Sequence, residues 1–164
     1  MENILYELKF NFFDFLICCI PLFLSLCAWF SDFDIEKKVG KIISRVVLRA
    51  VAVCAALLFV ALQFSNITMY LDCKNALENG NYKTVKGYVE DYHAMSVDGH
   101  DTERFKIGDT KFEYSTFDIQ TGYNTAAAHG GVITKNGQHL LIKYITDENT
   151  GDNYILYIAE KAVE

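Results

Sequence analysis

Two long apolar runs near the start of the chain constrain the fold more than any other feature. Residues 10–30, FNFFDFLICCIPLFLSLCAWF, and residues 46–65, VVLRAVAVCAALLFVALQFS, are 21 and 20 residues long. An α-helix of about 20 residues crosses the roughly 30 Å hydrocarbon core of a bilayer. No comparable run follows residue 66. The sequence therefore predicts two transmembrane helices followed by one folded domain.

The predicted organisation has three parts. Residues 1–65 form a membrane hairpin, whose helices lie at about 10–30 and 46–65 and whose loop occupies residues 31–45. A short juxtamembrane helix follows at residues 66–81, because apolar residues recur there at helical spacing and Gly80 is a typical helix stop. The C-terminal domain occupies residues 82–164.

Basic residues in the predicted loop set the expected orientation. They are Lys37, Lys38, Lys41 and Arg45, with Arg49 just inside the second helix. Short loops rich in Lys and Arg stay on the cytoplasmic side of the membrane. We therefore expect a multi-pass protein of the cytoplasmic (inner) membrane, with both termini and the C-terminal domain outside the cytoplasm.

The charge distribution bears on the partners. The net charge is −6, and residues 1–65 hold six basic and six acidic side chains, so nine basic and fifteen acidic ones remain for residues 66–164. An acidic domain repels phosphate backbones, so we expect no nucleic-acid partner. The expected partners are the lipid bilayer and another envelope protein. A second copy of the chain is the alternative, through the small side chains Ala52 and Ala56 of the second helix.

Period-two patterns and turn residues characterise the C-terminal domain. The sequence predicts one hairpin in ERFKI-GD-TKFEYSTF, around Gly108-Asp109, and another in VITK-NG-QHLLIKYIT, around Asn136-Gly137. Alternation places Ile155 and Tyr157 toward the core. Five or six short strands in fewer than 100 residues favour a small antiparallel barrel. We expect a fold resembling the oligonucleotide/oligosaccharide-binding (OB) barrel, with an SH3-like barrel as the alternative.

A family resemblance covers roughly residues 76–158. The matching residues are Gly87, Gly99-His100, Glu103, Phe105, Phe112, Tyr114-Ser115, Gly122, Asn124 and His129-Gly130-Gly131. Their order is similar to the pattern G-x-V … G-H-x-x-E-x-F … F-x-Y-S … G-F-N … H-G-G-P-I of a widespread group of uncharacterised bacterial membrane-anchored proteins. Val132 stands where that pattern has proline. The resemblance implies a bacterial origin and brings no known activity.

Two segments contain the candidate ligand-binding residues. VDGHDTE, residues 97–103, includes His100 and Glu103, and GYNTAAAHGGVI, residues 122–133, includes Asn124 and His129. Dense oxygen and imidazole groups can hold a divalent ion, but turn geometry also explains the Asp and Gly residues. We favour the second interpretation, with no metal, no cofactor and no catalytic residue. His129 is then expected to be a structural tie that bonds a buried partner.

These observations favour a non-catalytic, membrane-anchored binding or assembly module of the cell envelope. Two alternatives remain open. One is a membrane immunity or defence protein that acts against a toxin or phage. The other is a metal-dependent hydrolase that uses His100, Glu103 and His129, for which no fixed ligand spacing is present.

Overall fold

The computed structural model describes residues 2–10, 16, 19–30, 38–118 and 120–161. The chain divides into two compact units. A helical unit comprises Asn11–Thr68, and a β unit comprises Met1–Phe10 together with Met69–Glu164. The helical unit is therefore inserted between the first residues of the β unit and the rest of it.

The helical unit contains helix α1, Ile20–Phe30, and most of helix α2, Lys38–Asn79. With 42 residues, α2 is about 63 Å long at 1.5 Å per residue. Among the described residues, its segment Ile43–Asn79 is the one helix long and apolar enough to span a membrane. The second predicted span lies within this helix, which also includes most of the predicted juxtamembrane helix.

The first predicted span is only partly described. Its described helical stretch, α1, has 11 residues, which is about 16 Å and too short to cross a bilayer alone. Residues 11–15 and most of the predicted loop, 31–37, lie outside the described residues. One candidate membrane helix is thus shown where the sequence predicts two.

Contacts between the two helices match an antiparallel pair. Gln63 Nε2 lies 3.8 Å from Cys19 Sγ, at the start of α1. At the other end of α1, the Arg49 guanidinium lies 5.3 Å from the centre of the Trp29 ring. Residues later in α1 thus contact residues earlier in α2, as in an antiparallel pair. The side chains packed at this contact are small: Ser25 of α1 and Ala52 of α2 are both buried.

The β unit contains seven strands in two antiparallel sheets. The strands are β1 Glu2–Glu7, β2 Lys83–Tyr88, β3 Glu90–His93, β4 Glu103–Ile107, β5 Thr110–Tyr114, β6 His139–Thr146 and β7 Asn153–Lys161. One sheet has the order β1-β7-β6-β2 and the other has the order β3-β4-β5. Their inner faces enclose one core, formed by Val89, Phe105, Ile107, Phe112, Tyr114, Tyr123, Ile133, Leu140, Ile142, Tyr144, Ile155 and Ile158.

The prediction of an OB-like or SH3-like barrel is wrong for the strands that the structure describes, which form two open sheets. The chain leaves one sheet and enters the other at Val89, between β2 and β3. Val89 does not pair with either sheet, because its N–H donates to Gln138 O and its C=O accepts from Gly137 N–H. The loop before β6 therefore fills the corner at which a barrel would continue its strand ladder.

Strand β1 is not predicted from the sequence. It lies before the apolar segments in the chain, yet it belongs to the β unit. It pairs antiparallel with β7, and its Cα partners include Asn3 with Glu160. Leu5 and Tyr6 pack against the core, and the Tyr6 and Tyr123 rings meet edge to face at 5.0 Å. The first residues of the chain are thus part of the β unit.

The two predicted hairpins have different outcomes. The hairpin at Gly108-Asp109 is confirmed, since β4 and β5 pair from Ile107 with Thr110 outward. The hairpin at Asn136-Gly137 is wrong, because residues 132–135 form no strand. Gly137 does adopt a positive φ of 83°. However, Asn136 Oδ1 accepts from Tyr92 N–H instead of closing a strand pair.

A bulge in β7 changes which of its side chains face the core, so the predicted alternation fails there. Lys143 pairs with Tyr157 and Tyr144 pairs with Ile155, so Leu156 is an extra residue between them. A bulge of one residue shifts the alternation of side chains. Ile155 and Ile158 consequently face the core, whereas Tyr157 is half-buried and lies 4.9 Å from Lys143 Nζ.

Candidate binding site

A fully buried carboxylate organises the sheet β3-β4-β5. Glu103 is 0% exposed, because its position in β4 alternates in phase with Phe105 and Ile107 and faces the core. Its Oε1 accepts from the Tyr114 hydroxyl at 2.7 Å. Its Oε2 accepts from the Tyr92 hydroxyl at 3.1 Å and from Ala127 N–H at 2.9 Å. Three donors thus compensate for the burial of one carboxylate.

Buried and partly buried tyrosines form a cluster that includes the two hydroxyl partners of this carboxylate. Burial, followed by the Tyr123 hydroxyl and the Glu103 charge, raises the pKa of Tyr114 far above its usual value of 10.0. Burial and Glu103 also raise the pKa of Tyr92. Burial raises the pKa of Tyr123 to about 12, although hydrogen bonds from backbone N–H groups act in the opposite direction. Burial raises the pKa of Tyr6 as well.

These raised pKa values predict a loss of stability in alkali. Tyr6, Tyr92, Tyr114 and Tyr123 would ionise near pH 10.0 in the unfolded chain but only at higher pH in the folded one. Their contribution is complete below pH 10.0 and is lost as the pH rises through the folded pKa values. Burial also raises the pKa of Tyr154. In an absorbance titration at about 295 nm, we therefore expect five of the chain's ten tyrosines to ionise late, the four above together on unfolding. Independent titration of all ten near pH 10 would contradict this burial.

The segment GYNTAAAHGGVI is a connection that several hydrogen bonds hold in place. Ala126 N–H donates to Thr116 Oγ1 at 2.8 Å, and Ala127 N–H donates to Glu103. Val132 N–H donates to the Tyr123 hydroxyl at 2.6 Å. The alanine run forms a short 3₁₀ helix, Ala127–His129, and the chain leaves it at Gly130 with a φ of 89°. Long connections need such internal ties unless they are mobile.

Gly131 is required by close packing. A Cβ at this position would stand 2.1 Å from Thr125 O and 2.8 Å from the Tyr123 hydroxyl. Gly122 is similarly confined, since its Cβ would stand 2.7 Å from Ile155 O. The glycines in this connection therefore allow it to lie directly against backbone atoms of its neighbours.

His129 is not the buried structural tie that the sequence predicts. The side chain is exposed and lies edge to face with the Phe117 ring, with 5.4 Å between ring centres. The buried tie is instead the Ala127 N–H, two residues earlier. Asn124, a predicted ligand-binding residue, has a structural role instead, because its Nδ2 donates to Asp118 O at 2.9 Å.

His100 lies in an open groove of about 550 Å³. The groove is lined by Asp98, Gly99, His100, Asp101, Thr102, Ser115, Phe117 and Asp118. His100 adopts a positive φ of 62°, which an ordinary side chain rarely takes. A hydrogen bond from His93 at 2.6 Å, and then one from Thr102 N–H, hold the pKa of the Asp101 carboxyl below its usual value.

Phe117 connects the candidate residues. Its ring lies 3.1 Å from the point where a Cβ on Gly99 would stand, and the same ring contacts His129. The segments that carry His100 and His129 thus meet at one exposed aromatic side chain. Glu103 is enclosed beneath them and is not available to a ligand.

Phe117 and the tyrosines that bond to Glu103 are not among the site residues that the sequence predicts. Period two in ERFKI places Glu103 on the same face as Phe105 and Ile107, which indicates a buried carboxylate. Such a group needs hydrogen-bond donors, and Tyr114 lies directly opposite in the predicted hairpin. The sequence therefore contains a signal for the bond between Tyr114 and Glu103, whereas the bond between Ala127 and Glu103 depends on the tertiary fold.

Within the described ranges, no group of three or more His, Cys, Asp and Glu side chains is placed to hold a metal ion. Comparison of the chain with protein-family models, with curated proteins and with solved structures gives no match.

Proposed function

We propose that this chain is a non-catalytic binding module, anchored in the inner membrane by a helical hairpin, with its β unit on the extracytoplasmic side. The pairing of β1 with β7 is the observation that carries this proposal. Phe10, which follows β1, also meets the Tyr70 ring of α2 at 5.2 Å. Both ends of the helical unit therefore join the same β unit, at neighbouring points.

This connectivity favours two crossings. If α2 alone crossed the bilayer, β1 and β7 would lie on opposite sides and could not share a sheet. In this proposal, residues 10–30 supply the second crossing, which agrees with the apolar sequence of that run. The antiparallel contacts of Cys19 with Gln63 and of Trp29 with Arg49 support the same hairpin. Basic residues around 37–49 favour a cytoplasmic turn.

Two serine hydroxyls near the groove have structural roles, which favours binding over catalysis. A nucleophilic mechanism needs a hydroxyl or thiol in contact with a base. Ser96 donates to Gly99 O, and Ser115 accepts from Phe117 N–H, so both hydroxyls support turns. The Glu103 carboxylate is occupied by three donors.

The groove favours a basic partner segment on another envelope protein. Asp98, Asp101 and Asp118 line it, and the exposed Phe117 ring offers a face for a cation or an aliphatic stem. Val97, beside Asp98, is 68% exposed and adds apolar contact area. Residues 66–164 as a whole contain more acidic than basic side chains, which also favours a basic partner.

The test is binding of a fluorescent hexalysine peptide to the full chain in uncharged lipid nanodiscs. We expect Asp98→Asn combined with Asp118→Asn to weaken binding by about tenfold, and Phe117→Ala to weaken it by about fivefold. Asp109→Asn combined with Glu113→Gln is the matched control, because it also removes two exposed carboxylates, from the β4–β5 hairpin. Equal affinity for the parent chain and the double variant would refute the groove as the binding surface.

A further inference from the structure

An apolar groove of about 340 Å³ lies between α1 and α2, within the helical unit. Its lining residues are Ser25, Leu26, Trp29, Phe30, Ala52, Val53 and Ala56. The small, buried side chains of Ser25 and Ala52 form its floor, whereas Trp29, Phe30 and Val53 are half-exposed or more. In the proposed membrane hairpin, this groove opens toward lipid.

Positive charge lies at one end of the groove. The Arg49 guanidinium stands 5.3 Å from the centre of the Trp29 ring, and Trp29 lines the groove. Arg45 is one helical turn before Arg49, and both side chains are exposed. From residue 38 to residue 71, α2 contains basic residues but no Asp or Glu. Within this stretch, the charged side chains that α2 contributes are therefore all positive.

We propose that this groove binds one anionic phospholipid, an inference that rests on the proposed membrane hairpin. The acyl chain lies along the apolar floor, and the phosphate accepts hydrogen bonds from Arg49. A planar guanidinium can bond two phosphate oxygens at once. Basic pockets between transmembrane helices on the cytoplasmic side are suited to anionic headgroups.

A phospholipid fits these observations better than a second copy of the chain. A symmetric dimer uses the same surface on both copies, so it would bring Arg49 of each copy to one seam. Like charges at an interface oppose association unless anions neutralise them. An anionic lipid instead supplies the opposite charge at Arg49 and an apolar chain for the groove.

The test is native mass spectrometry of the full chain, released from mixed nanodiscs of phosphatidylglycerol and phosphatidylcholine. We expect one phosphatidylglycerol to be retained with about tenfold preference over phosphatidylcholine. Arg49→Gln should reduce that preference to about twofold or less. Val53→Phe, which fills the groove, should reduce retention of both lipids, because the acyl chain loses its place.

Two matched variants serve as controls. Val60→Phe places the same ring at another exposed position of α2, away from the groove lining, and Lys74→Gln removes one positive charge from the same helix. Both should retain the lipid as the parent does. Equal retention of the two lipids by the parent, unchanged preference in Arg49→Gln, or dimers in place of bound lipid would overturn the inference.

Carbonate extraction of cell membranes separates this inference from the proposed function. A chain that stays in the membrane but shows no preference between the two lipids would overturn the lipid site alone. A chain that alkali releases from the membrane would overturn both the hairpin anchor and the lipid site.

Discussion

Gly131→Ala is expected to destabilise the β unit by about 3 kcal/mol or more. The added methyl group would stand 2.1 Å from Thr125 O and 2.7 Å from the Ala126 carbonyl carbon. These are backbone atoms, so no side-chain rotation relieves the clash. The Tyr123 hydroxyl, 2.8 Å away, also bonds Val132 N–H, so displacing it would break a second tie.

The measurement is urea unfolding of the full chain in mild detergent, followed by the near-ultraviolet circular dichroism of its buried tyrosines. Gly130→Ala is the matched control, since a Cβ there meets no atom within 4 Å. Its φ of 89° still costs an L-residue about 1–2 kcal/mol. Equal losses for the two variants would show that the connection does not pack as described. His129→Ala should cost less than about 0.5 kcal/mol, because the side chain is exposed.

Glu103→Leu is expected to destabilise the β unit by about 4 kcal/mol. The substitution keeps an apolar side chain in the core but leaves Tyr92, Tyr114 and Ala127 N–H without their acceptor. An unsatisfied buried donor costs about 1–3 kcal/mol, and rotation of the two hydroxyls recovers only part of that loss.

Glu103→Gln tests the same network more gently. An amide oxygen can still accept, and one tyrosine hydroxyl can turn to accept from the amide nitrogen, so we expect a loss of about 1–2 kcal/mol. Glu113→Gln, on the exposed face of β5, is the control and should change stability by less than about 0.5 kcal/mol. If Glu103→Leu were as stable as the parent, the carboxylate would not organise this sheet.

Local signals in the sequence predicted those elements whose partners are close in sequence. The apolar run at 46–65 predicts the centre of α2, and Gly108-Asp109 predicts the β4–β5 turn. The helix extends well beyond that run, because residues 38–45 and 66–79 continue it without an interruption by proline or glycine after Gly40.

Elements with distant partners were missed or misassigned. Strand β1 pairs with residues more than 140 positions away, and neither its length nor its pattern identifies β7 as its partner. Asn136-Gly137 has the composition of a hairpin turn, but its polar groups bond to Val89, between β2 and β3, and to Tyr92 of β3. In both cases tertiary contacts determine the structure more than local propensity does.

The residues of the candidate site also differ in how far the sequence predicts them. His100 was identified in sequence and lies in the groove, and Glu103 was identified but is buried. The exposed Phe117, which joins the two histidine segments, carries no local signal because a single aromatic residue in a turn is unremarkable in sequence.

Labelling of single cysteines in intact cells tests most directly whether a membrane hairpin returns the chain to one β unit. In a background without the native cysteines, Asn3→Cys and Glu160→Cys place thiols on exposed, paired positions of β1 and β7, and Lys41→Cys places one near the proposed cytoplasmic turn. We predict that an impermeant maleimide labels positions 3 and 160 equally and reaches position 41 only after the membrane is permeabilised. Labelling of position 3 or position 160 alone, or of position 41 in intact cells, would contradict the account.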